Sequence, residues 1–338
     1  MTGVSQHDSG LLLVDKPQGV TSHDVVAAVR SALHMKKVGH AGTLDPMATG
    51  MLVIGFGYAT RLLNYLVEHS KTYEATIRLG QSTTTDDAEG DIVSQTASLS
   101  PNAIALLADA QGMRLAAENA IRKHFLGDIE QVPSSFSAIK IHGQRAYDLA
   151  RSGEQVELQA RPITISEFEV LDVRQGIAEN EQAVVDLDVR VSCSSGTYIR
   201  ALARDLGAEL LVGGHLTRLR RIRVGRFDIQ DSKVLTAHTE SRLITGKDGS
   251  QITRNKIVLE CDRDTIREYA IPMLDSVKRS MNTIEITDSQ AQDLRYGRRI
   301  AAVVGELSAA YMPHTGDVVA IIEADGDGMA KPVTVFTA

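Results

Sequence analysis

The chain has 338 residues, enough for about two domains with a substantial hydrophobic core. Hydrophobic residues make up 43% of it and charged residues 23%, which are ordinary values for a globular protein. The formal net charge of −7 excludes a chain covered in positive charge, so any contact with nucleic acid requires local basic patches.

The cysteine content and the N-terminal segment indicate where the protein works. Cys193 and Cys261 are the only cysteines and lie far apart, which favours a reducing compartment and argues against a disulfide framework or a structural metal. The first nine residues lack the charged and apolar regions of a signal peptide, and no apolar run reaches membrane-spanning length. We therefore expect a cytoplasmic protein without a membrane partner.

The first predicted helix begins after Thr21. Thr21 and Asp24 have the spacing of a capping box, in which each side chain bonds the backbone N–H of the other residue. Apolar residues then recur at helical spacing at Val25, Val29 and Leu33.

The loop Gly39–Gly50 is the most informative segment of the chain. Its three glycines, one proline and two threonines argue against a stable helix or a central strand. It presents one carboxylate, Asp45, within reach of one imidazole, His40. The ring of Pro46 pushes Asp45 toward an extended backbone. An isolated Asp-Pro pair is usually only a turn initiator, so its interpretation depends on the residues around it.

Hydrophobic periodicity predicts further elements along the chain. Tyr73 shares one face of a predicted strand with Ala75 and Ile77, so alternation makes it a core residue. Thr197 is predicted to cap a helix that ends before Gly213. The remaining predictions are strands at 51–54 and 185–193 and helices at 60–68, from Ser100-Pro101 onward, and at 115–125. Strands and helices mix without a regular βαβ pattern, which favours an α+β fold.

The last part of the chain is predicted to form a separate module. Thr287 and Asp288 can cap a helix that Gly297 ends. Two strands, at 318–323 and 332–336, are joined through an Asp-Gly-Asp-Gly turn that predicts a hairpin.

An arginine cluster is the strongest candidate for contact with phosphate. Five arginines occur within nine residues with no acid between them, at Arg218, Arg220, Arg221, Arg223 and Arg226. Such runs are usually solvated surface, but the guanidinium group matches phosphate well and the chain as a whole is acidic. We predict RNA contact here, with Arg220 and Arg221 as the principal candidates.

Six sequence blocks, in this order, resemble the bacterial tRNA pseudouridine synthase B family. They span roughly the first two thirds of the chain and are much more specific together than any single motif. They are Leu11–Gly19, Gly39–Gly50, Lys71–Gly80, Thr85–Gly90, Ser192–Arg200 and Leu219–Arg221. Residues 228–280 match poorly, and no role is carried over to them.

The resemblance implies an architecture. The expected catalytic domain covers residues 1–235 and is a mixed-sheet α+β pseudouridine synthase domain. It carries an insertion at about 127–153, including Lys140 and Arg145, that grips RNA. A connecting segment, 236–280, leads to a small β-rich RNA-binding domain of the PUA type at 281–338.

The resemblance also implies a reaction, the isomerisation of the T-loop uridine (position 55) of tRNA to pseudouridine. This reaction needs no cofactor, metal or ATP. Asp45 is the implied catalytic carboxylate, and attack on ribose C1′ and removal of the C2′ proton both stay open. Arg200 is implied to pair with that aspartate and keep it ionised. Asp15, Asp86 and Asp87, the possible second carboxylates, are interpreted as structural or turn residues.

The remaining implied roles concern the nucleotide. Tyr73 is expected to stack on the extruded uracil and is a further catalytic candidate, although removal of the C5 proton stays open. Tyr198 and Leu219 are expected to line the nucleotide pocket; from position alone, each is equally well a packing residue. His40 is implied to help displace the target nucleotide, and Lys16 to support the loop.

Three alternatives remain. The first is a guide-RNA-dependent relative that modifies rRNA, against which the insertion at 127–153 argues. The second is a tRNA-binding or tRNA-folding protein without activity, against which the intact set of Asp45, Tyr73 and Arg200 argues. The third is a methyltransferase acting on the same uridine, which the mass of the product would distinguish. The expected partner is the T-arm stem-loop of tRNA, and we expect a monomer.

Overall fold

The chain divides into two units, residues 1–69 with 223–338 and residues 70–222. The computed structural model describes residues 5–94, 99–136, 140–141, 144–145, 158–178, 182–245 and 250–336. The boundary at 222–223 falls inside one long strand, Gly214–Val224, whose last two residues belong to the first unit. The domain boundary predicted at residue 281 does not coincide with either boundary and stays a prediction.

A largely buried strand, Gly10–Lys16, is central to the first unit. It pairs antiparallel with Thr49–Phe56 over seven residues and parallel with Val234–Leu235, so the sheet is mixed. Ile271–Pro272 adds a short antiparallel pairing, and Val38–Ala41 pairs with the other side of Thr49–Phe56.

The helices of the first unit pack against these strands. The helix Ser22–Leu33 has the predicted capping box between Thr21 and Asp24 and buries Val25, Val29 and Leu33. The helix predicted at 60–68 is a 3-10 turn, Gly57–Arg61, followed by a short α-helix, Leu63–Val67. The helical segments that follow the first helix are Gly57–Arg61, Leu63–Val67, Ile266–Tyr269, Met273–Ser280 and Asp288–Arg295.

The C-terminal residues of the first unit form a five-stranded sheet. Its strand order is Asn282–Glu285, Ser308–Tyr311, Val318–Ala324, Met329–Val335 and Ile300–Ala301. The predicted hairpin through Asp325–Gly328 and the helix capped by Thr287 are both confirmed. One side of the sheet contributes Ile321 and Phe336 to a core with Leu11 and Met51, while the other covers the helix Asp288–Arg295.

A two-stranded ribbon in the first unit was not predicted from the sequence. Ala237–Thr245 and Gln251–Leu259 pair antiparallel over nine residues, and residues 246–249 between them lie outside the described residues. Most side chains from Ser241 to Lys256 in this pair of strands are exposed, so little apolar periodicity marks the ribbon.

The second unit is built on an antiparallel arrangement of long strands. Lys71–Leu79 pairs with Ala183–Cys193, which pairs with Arg161–Ile177, which pairs in turn with Gly127–Gln131. The clean alternation predicted at 185–193 is confirmed, with Val185, Leu187 and Val189 fully buried. Arg161–Ile177 has two register irregularities.

Three helices of the second unit are Pro101–Leu107, Ala110–His124 and Ile199–Glu209. Ser100 caps the first of them as predicted. The prediction that Thr197 caps the third helix is wrong: Tyr198 occupies the N-cap position, and the Thr197 hydroxyl donates to the Ser194 carbonyl at 3.0 Å. A tighter turn before the helix therefore takes the threonine away from the helix N-terminus.

About half of the predicted RNA-gripping insertion, 127–153, lies outside the described residues. Within it, Lys140–Ile141 pairs antiparallel with Gln144–Arg145, while 137–139, 142–143 and 146–157 are not described.

The predicted α+β, mixed-sheet class is confirmed by the strand pairings. Among the described residues, no helix is both long and apolar enough to cross a membrane.

Candidate active site

Asp45 lies in a tight turn between the strands Val38–Ala41 and Thr49–Phe56. Its side chain is half-buried, and its carbonyl accepts a hydrogen bond of 3.1 Å from the Ala48 N–H. The turn follows from Pro46, which lacks an N–H and constrains the backbone of Asp45. The Asp45 carboxylate is thus carried by a turn whose backbone is held by its own hydrogen bond.

The residue before Asp45 is held by a buried serine. The Leu44 N–H donates to the Ser22 hydroxyl oxygen at 2.9 Å, and the same hydroxyl donates to the Leu44 carbonyl at 3.1 Å. Ser22 is 1% exposed and begins the helix Ser22–Leu33. Both backbone groups of Leu44 are therefore fixed to a rigid element.

The residue after Asp45 is held from the turn that follows the first strand. The Pro46 carbonyl accepts from the Gly19 N–H at 2.8 Å and from Lys16 Nζ at 3.4 Å. Lys16 is fully buried, and Nζ also donates to the carbonyls of Pro17 at 3.0 Å and Val20 at 2.8 Å. A buried ammonium group needs such acceptors, and its position beside Pro46 makes Lys16 a support of the Asp45 turn.

His40 lies on the strand Val38–Ala41, which leads into that turn. Its ring packs edge to face against His23, with the ring centroids 5.5 Å apart. Residue 40 is paired with Ile54 across the strands, so its backbone position is set by the sheet rather than by the loop.

In the second unit, Arg200 is a buried cation whose partners include one carboxylate and two carbonyls. Its guanidinium lies 3.3 Å from the Asp87 carboxylate, and the two side chains are 7% and 5% exposed. It also donates to the carbonyls of Thr85 at 3.1 Å and Phe136 at 2.8 Å. The helix Ile199–Glu209 places Arg200 in its first turn, so the side chain extends into this group of acceptors.

Asp87 is itself held by its neighbours in sequence. Its carboxylate accepts from the Thr85 hydroxyl at 2.5 Å and from the Glu89 N–H at 3.1 Å, while its carbonyl accepts from the Thr83 hydroxyl at 2.7 Å. The interpretation of Asp87 as a turn residue is therefore correct but incomplete. It also balances the charge of Arg200, and only the tertiary structure reveals this pairing.

Asp86 pairs with the second arginine of the same helix. Arg204 lies 3.2 Å from the Asp86 carboxylate, which also accepts a hydrogen bond from the Ser134 hydroxyl. Burial raises the pKa of Asp86, and the bond from Ser134 and the charges of Arg204 and Arg200 oppose that rise. Arg200 and Arg204 are one helical turn apart, so two consecutive aspartates neutralise two arginines that would otherwise repel each other.

Tyr198 stands at the start of that helix. Its N–H donates to the Gln131 side-chain oxygen at 2.9 Å, and its carbonyl accepts from the Gln131 amide at 3.0 Å. Gln131 is 2% exposed, so a buried amide from a neighbouring strand fixes the residue that carries the ring. Sequence analysis did not single out Gln131, because nothing local marks a partner 67 positions away.

Tyr73 and Leu219 both lie on strands with little exposure, 7% and 6% respectively. Tyr73 pairs across the strands with Val191, and Ala75 and Ile77 continue the same buried face. The prediction that Tyr73 belongs to the core face is therefore confirmed. Cys193 on the next strand is buried, and burial raises the pKa of its thiol to about 11, consistent with an inert core residue.

The five arginines near residue 220 do not form one exposed patch. Arg221 is 1% exposed, and Arg220 is half-buried, whereas Arg218 and Arg226 are exposed. Arg223 forms an ion pair of 3.0 Å with Asp228. Strand alternation turns neighbouring side chains to opposite faces, so adjacent arginines in the sequence have different environments.

The predicted site residues are thus distributed over the two units. Asp45, Lys16 and His40 belong to the first unit, where Lys16 is brought to the Asp45 turn. The second unit contains the other predicted site residues, namely Tyr73, Tyr198, Arg200, Leu219, Arg220 and Arg221.

Solved structures resemble this fold. A Cbf5–Nop10–Gar1 complex contains a chain with a TM-score of 0.60 and 25% identity, covering 99% of this chain and 86% of that one. A chain in an H/ACA RNP bound to a substrate RNA containing 2′-deoxyuridine gives a TM-score of 0.61 at 24% identity, covering 98% and 86%. At this level of identity the second likeness concerns the fold alone.

Family models define the class as that of the pseudouridylate synthases. Residues 30–199 match the N-terminal domain of the TruB family pseudouridylate synthases, residues 200–257 a tRNA pseudouridylate synthase B C-terminal domain, and residues 281–337 a tRNA pseudouridine synthase II C-terminal region. Curated relatives named tRNA pseudouridine synthase B agree. Those from Bifidobacterium longum, Arthrobacter sp. and Corynebacterium glutamicum are 51%, 47% and 45% identical, over 97% of this chain and 98%, 96% and 96% of theirs. The chain belongs to the TruB family.

Proposed function

We propose that this protein isomerises the T-loop uridine (position 55) of tRNA to pseudouridine. The observation that carries the proposal is the 51% identity, over 97% of the chain, to a relative named tRNA pseudouridine synthase B. The position within tRNA rests on the resemblance of the sequence blocks around Asp45, Tyr73 and Arg200.

The reaction is balanced without an added reactant. The bond from ribose C1′ to uracil N1 breaks, the base turns, and a bond forms from C1′ to C5. The proton on C5 is lost and N1 gains one, so the overall change is an isomerisation. A carboxylate that acts on the ribose, by attack on C1′ or removal of the C2′ proton, is the essential group.

Asp45 is the proposed carboxylate, and its turn suits this role. Ser22 holds the backbone before it, and Gly19 and Lys16 hold the backbone after it. A reacting group must be held close to its productive geometry, and a turn fixed on both sides restricts where the carboxylate can lie.

The other proposed roles concern the nucleotide and the charge of the catalytic carboxylate. Tyr73 stacks on the extruded uracil, with Tyr198 and Leu219 lining the nucleotide pocket and His40 displacing the nucleotide. Arg200 is the proposed cation that keeps the catalytic carboxylate ionised. Its burial and its hydrogen bonds to the Thr85 and Phe136 carbonyls support a fixed position for that charge.

Substrate recognition is proposed to involve three parts of the chain. They are the insertion at 127–153, the exposed arginines near residue 220, and the C-terminal module at 281–338. We propose that the T-arm stem-loop is the recognised part of tRNA, and that a monomer acts on it in the cytoplasm.

One experiment tests this proposal directly. The purified protein is incubated with unmodified tRNA, and pseudouridine is located by a site-resolved chemical method, with product mass measured in parallel. We expect one pseudouridine, in the T-loop, and no change in mass. A mass increase of one methyl group would indicate a methyltransferase, and activity only with a guide RNA would indicate the guide-dependent alternative.

A further inference from the structure

We infer that the ribbon formed by Ala237–Thr245 and Gln251–Leu259 positions the Asp45 turn, with Asn255 and Thr239 as the positioning residues. This inference rests on the proposed role of Asp45. It gives a function to part of the segment that the sequence left without one. All the groups involved belong to the first unit.

Two side chains of the ribbon bond the same turn of the main chain. The Thr239 hydroxyl donates to the Gln18 carbonyl at 2.8 Å, and the Asn255 side-chain amide donates to the Gly19 carbonyl at 2.9 Å. Thr239 and Asn255 are on opposite strands, two residues out of register, and their side chains point to the same face of the ribbon. That face therefore lies against the turn at Gln18–Gly19.

The Asn255 amide has a defined orientation. The Ser241 hydroxyl, directly across the ribbon, donates to the Asn255 side-chain oxygen at 2.8 Å. This bond assigns the oxygen and leaves the amide nitrogen to face Gly19. Ser241 thus sets which end of Asn255 meets the turn.

Gly19 is the residue that connects the ribbon to the Asp45 turn. Its carbonyl accepts from Asn255, while its N–H donates to the Pro46 carbonyl at 2.8 Å. Its φ of +83° favours glycine, and an added Cβ would lie 2.7 Å from the Asn255 amide nitrogen. The ribbon therefore bonds the backbone of a glycine whose N–H in turn bonds the carbonyl of Pro46, the residue that follows Asp45.

The ribbon also contacts the element that holds the other side of the turn. The helix Ser22–Leu33 packs against the strand Gln251–Leu259, in which Ile257 is 5% exposed. Because Ser22 at the start of that helix bonds both backbone groups of Leu44, both supports of Asp45 rest on the ribbon. Greater mobility of the ribbon would therefore increase the backbone mobility of both Leu44 and Pro46.

The test uses the 338-residue chain with one isosteric change and one truncation. Thr239→Val removes a hydroxyl, Asn255→Ala removes the amide, and the double variant removes both. Thr253→Val, an exposed threonine on the same strand as Asn255, is the matched control. Three quantities are measured: the single-turnover rate with tRNA, the Kd for tRNA, and amide hydrogen exchange at Leu44 and Ala48.

We expect the double variant to react about tenfold more slowly in a single turnover, since two hydrogen bonds that hold the turn are lost. The Kd should stay within about twofold of wild type, and exchange at Leu44 and Ala48 should quicken. Thr253→Val should match wild type in all three. Wild-type rate and exchange in the double variant would overturn the inference, as would a rate loss fully accounted for by a fraction of unfolded protein.

The outcome also separates this inference from the proposed function. If the wild-type protein makes no pseudouridine, the proposed function fails, while the exchange rates at Leu44 and Ala48 still report whether the ribbon holds the turn. If the wild type is active and the ribbon variants match it in both rate and exchange, only the positioning inference fails.

Discussion

The Arg200 guanidinium and the Asp87 carboxylate form a buried ion pair, 3.3 Å apart, with side chains only 7% and 5% exposed. Asp87 also accepts from the Thr85 hydroxyl, and Arg200 donates to the Thr85 carbonyl. One ion pair and two hydrogen bonds therefore link these three residues. Burying two charges is costly unless their hydrogen-bonding capacity is met, and here both partners have additional bonds. The position of Arg200 thus depends on a carboxylate more than one hundred residues earlier in the chain.

Replacing Asp87 by Asn should destabilise the protein strongly. The change keeps the shape of the side chain but removes one charge of the buried Arg200–Asp87 ion pair, and breaking a buried pair typically costs about 3–5 kcal/mol. The free energy of unfolding, measured by urea denaturation, should fall by about 3 kcal/mol or more. The matched control is Asp228→Asn at the exposed Arg223–Asp228 pair, which should cost less than about 1 kcal/mol. Equal losses in the two variants would mean that the buried pair contributes no more than a surface pair.

Replacing Asp45 by Asn should abolish turnover while preserving binding. The amide keeps the size of the side chain but can neither attack C1′ nor take a proton from C2′. Pseudouridine formation should fall by several orders of magnitude, and the Kd for tRNA should stay within about tenfold, or roughly 1.4 kcal/mol. An exposed aspartate elsewhere in the same unit, changed in Asp264→Asn, is the control. Activity within a factor of ten of wild type would remove Asp45 from the reaction.

Exposed arginines near residue 220 should govern the salt dependence of RNA binding. Each phosphate contact that is lost lowers the slope of log K against log salt by about one unit. Changing two exposed arginines of the cluster, in Arg218→Ala and Arg226→Ala, should therefore flatten the slope by up to about two units. Arg122→Ala, an exposed arginine on the helix Ala110–His124, controls for the loss of positive charge in general. A slope unchanged from wild type would show that these side chains do not meet phosphate.

Protonation of His215 should lower the free energy of unfolding in mild acid. His215 is 5% exposed, its Nδ1 lies 3.1 Å from the Gln81 carbonyl, and burial lowers its pKa below the ordinary value of 6.5. As the pH falls below about 6.5, the unfolded chain binds a proton that the folded chain still refuses, so the free energy of unfolding decreases until the lowered pKa is reached. This contribution is present above the unfolded pKa and is lost on acidification.

The variant His215→Asn isolates that effect. Its amide N–H can still donate to the Gln81 carbonyl, but it does not titrate. Urea denaturation at several values between pH 7.5 and pH 5 should show a smaller loss of stability in the variant than in wild type. Parallel curves for the two proteins would assign the acid sensitivity to other groups.

A short T-arm hairpin should be a sufficient substrate. Extrusion of a base costs least from a loop that is already unpaired, so the target uridine needs no distant contacts to become accessible. The hairpin should be modified at its single target uridine, and EDTA should leave the rate unchanged because the isomerisation needs no metal. If the hairpin is inert while full tRNA reacts, recognition requires contacts beyond the T-arm, and variants in 281–338 should then be tested first.

Local patterns determined several elements of this protein. The capping box of Thr21 and Asp24 and the buried face of Tyr73 depend on residues within a few positions of each other, and both are confirmed. The ordered sequence blocks indicated the TruB family and an α+β pseudouridine synthase fold, and both predictions are also confirmed. The identity of Asp45 as the catalytic carboxylate stays a prediction from the sequence.

Long-range partners were decided only by the tertiary structure. Arg200 and Arg204 lie one turn apart on one helix, and their neutralisation by Asp87 and Asp86 depends on a turn far earlier in the chain. Arg221 seemed equivalent to its neighbours until strand alternation buried it. The side chains that hold a turn or balance a charge are set by which strands and helices meet, and sequence periodicity describes each element alone. For that reason the sequence could propose residues for the site, whereas the residues that hold those side chains in place came only from the structure.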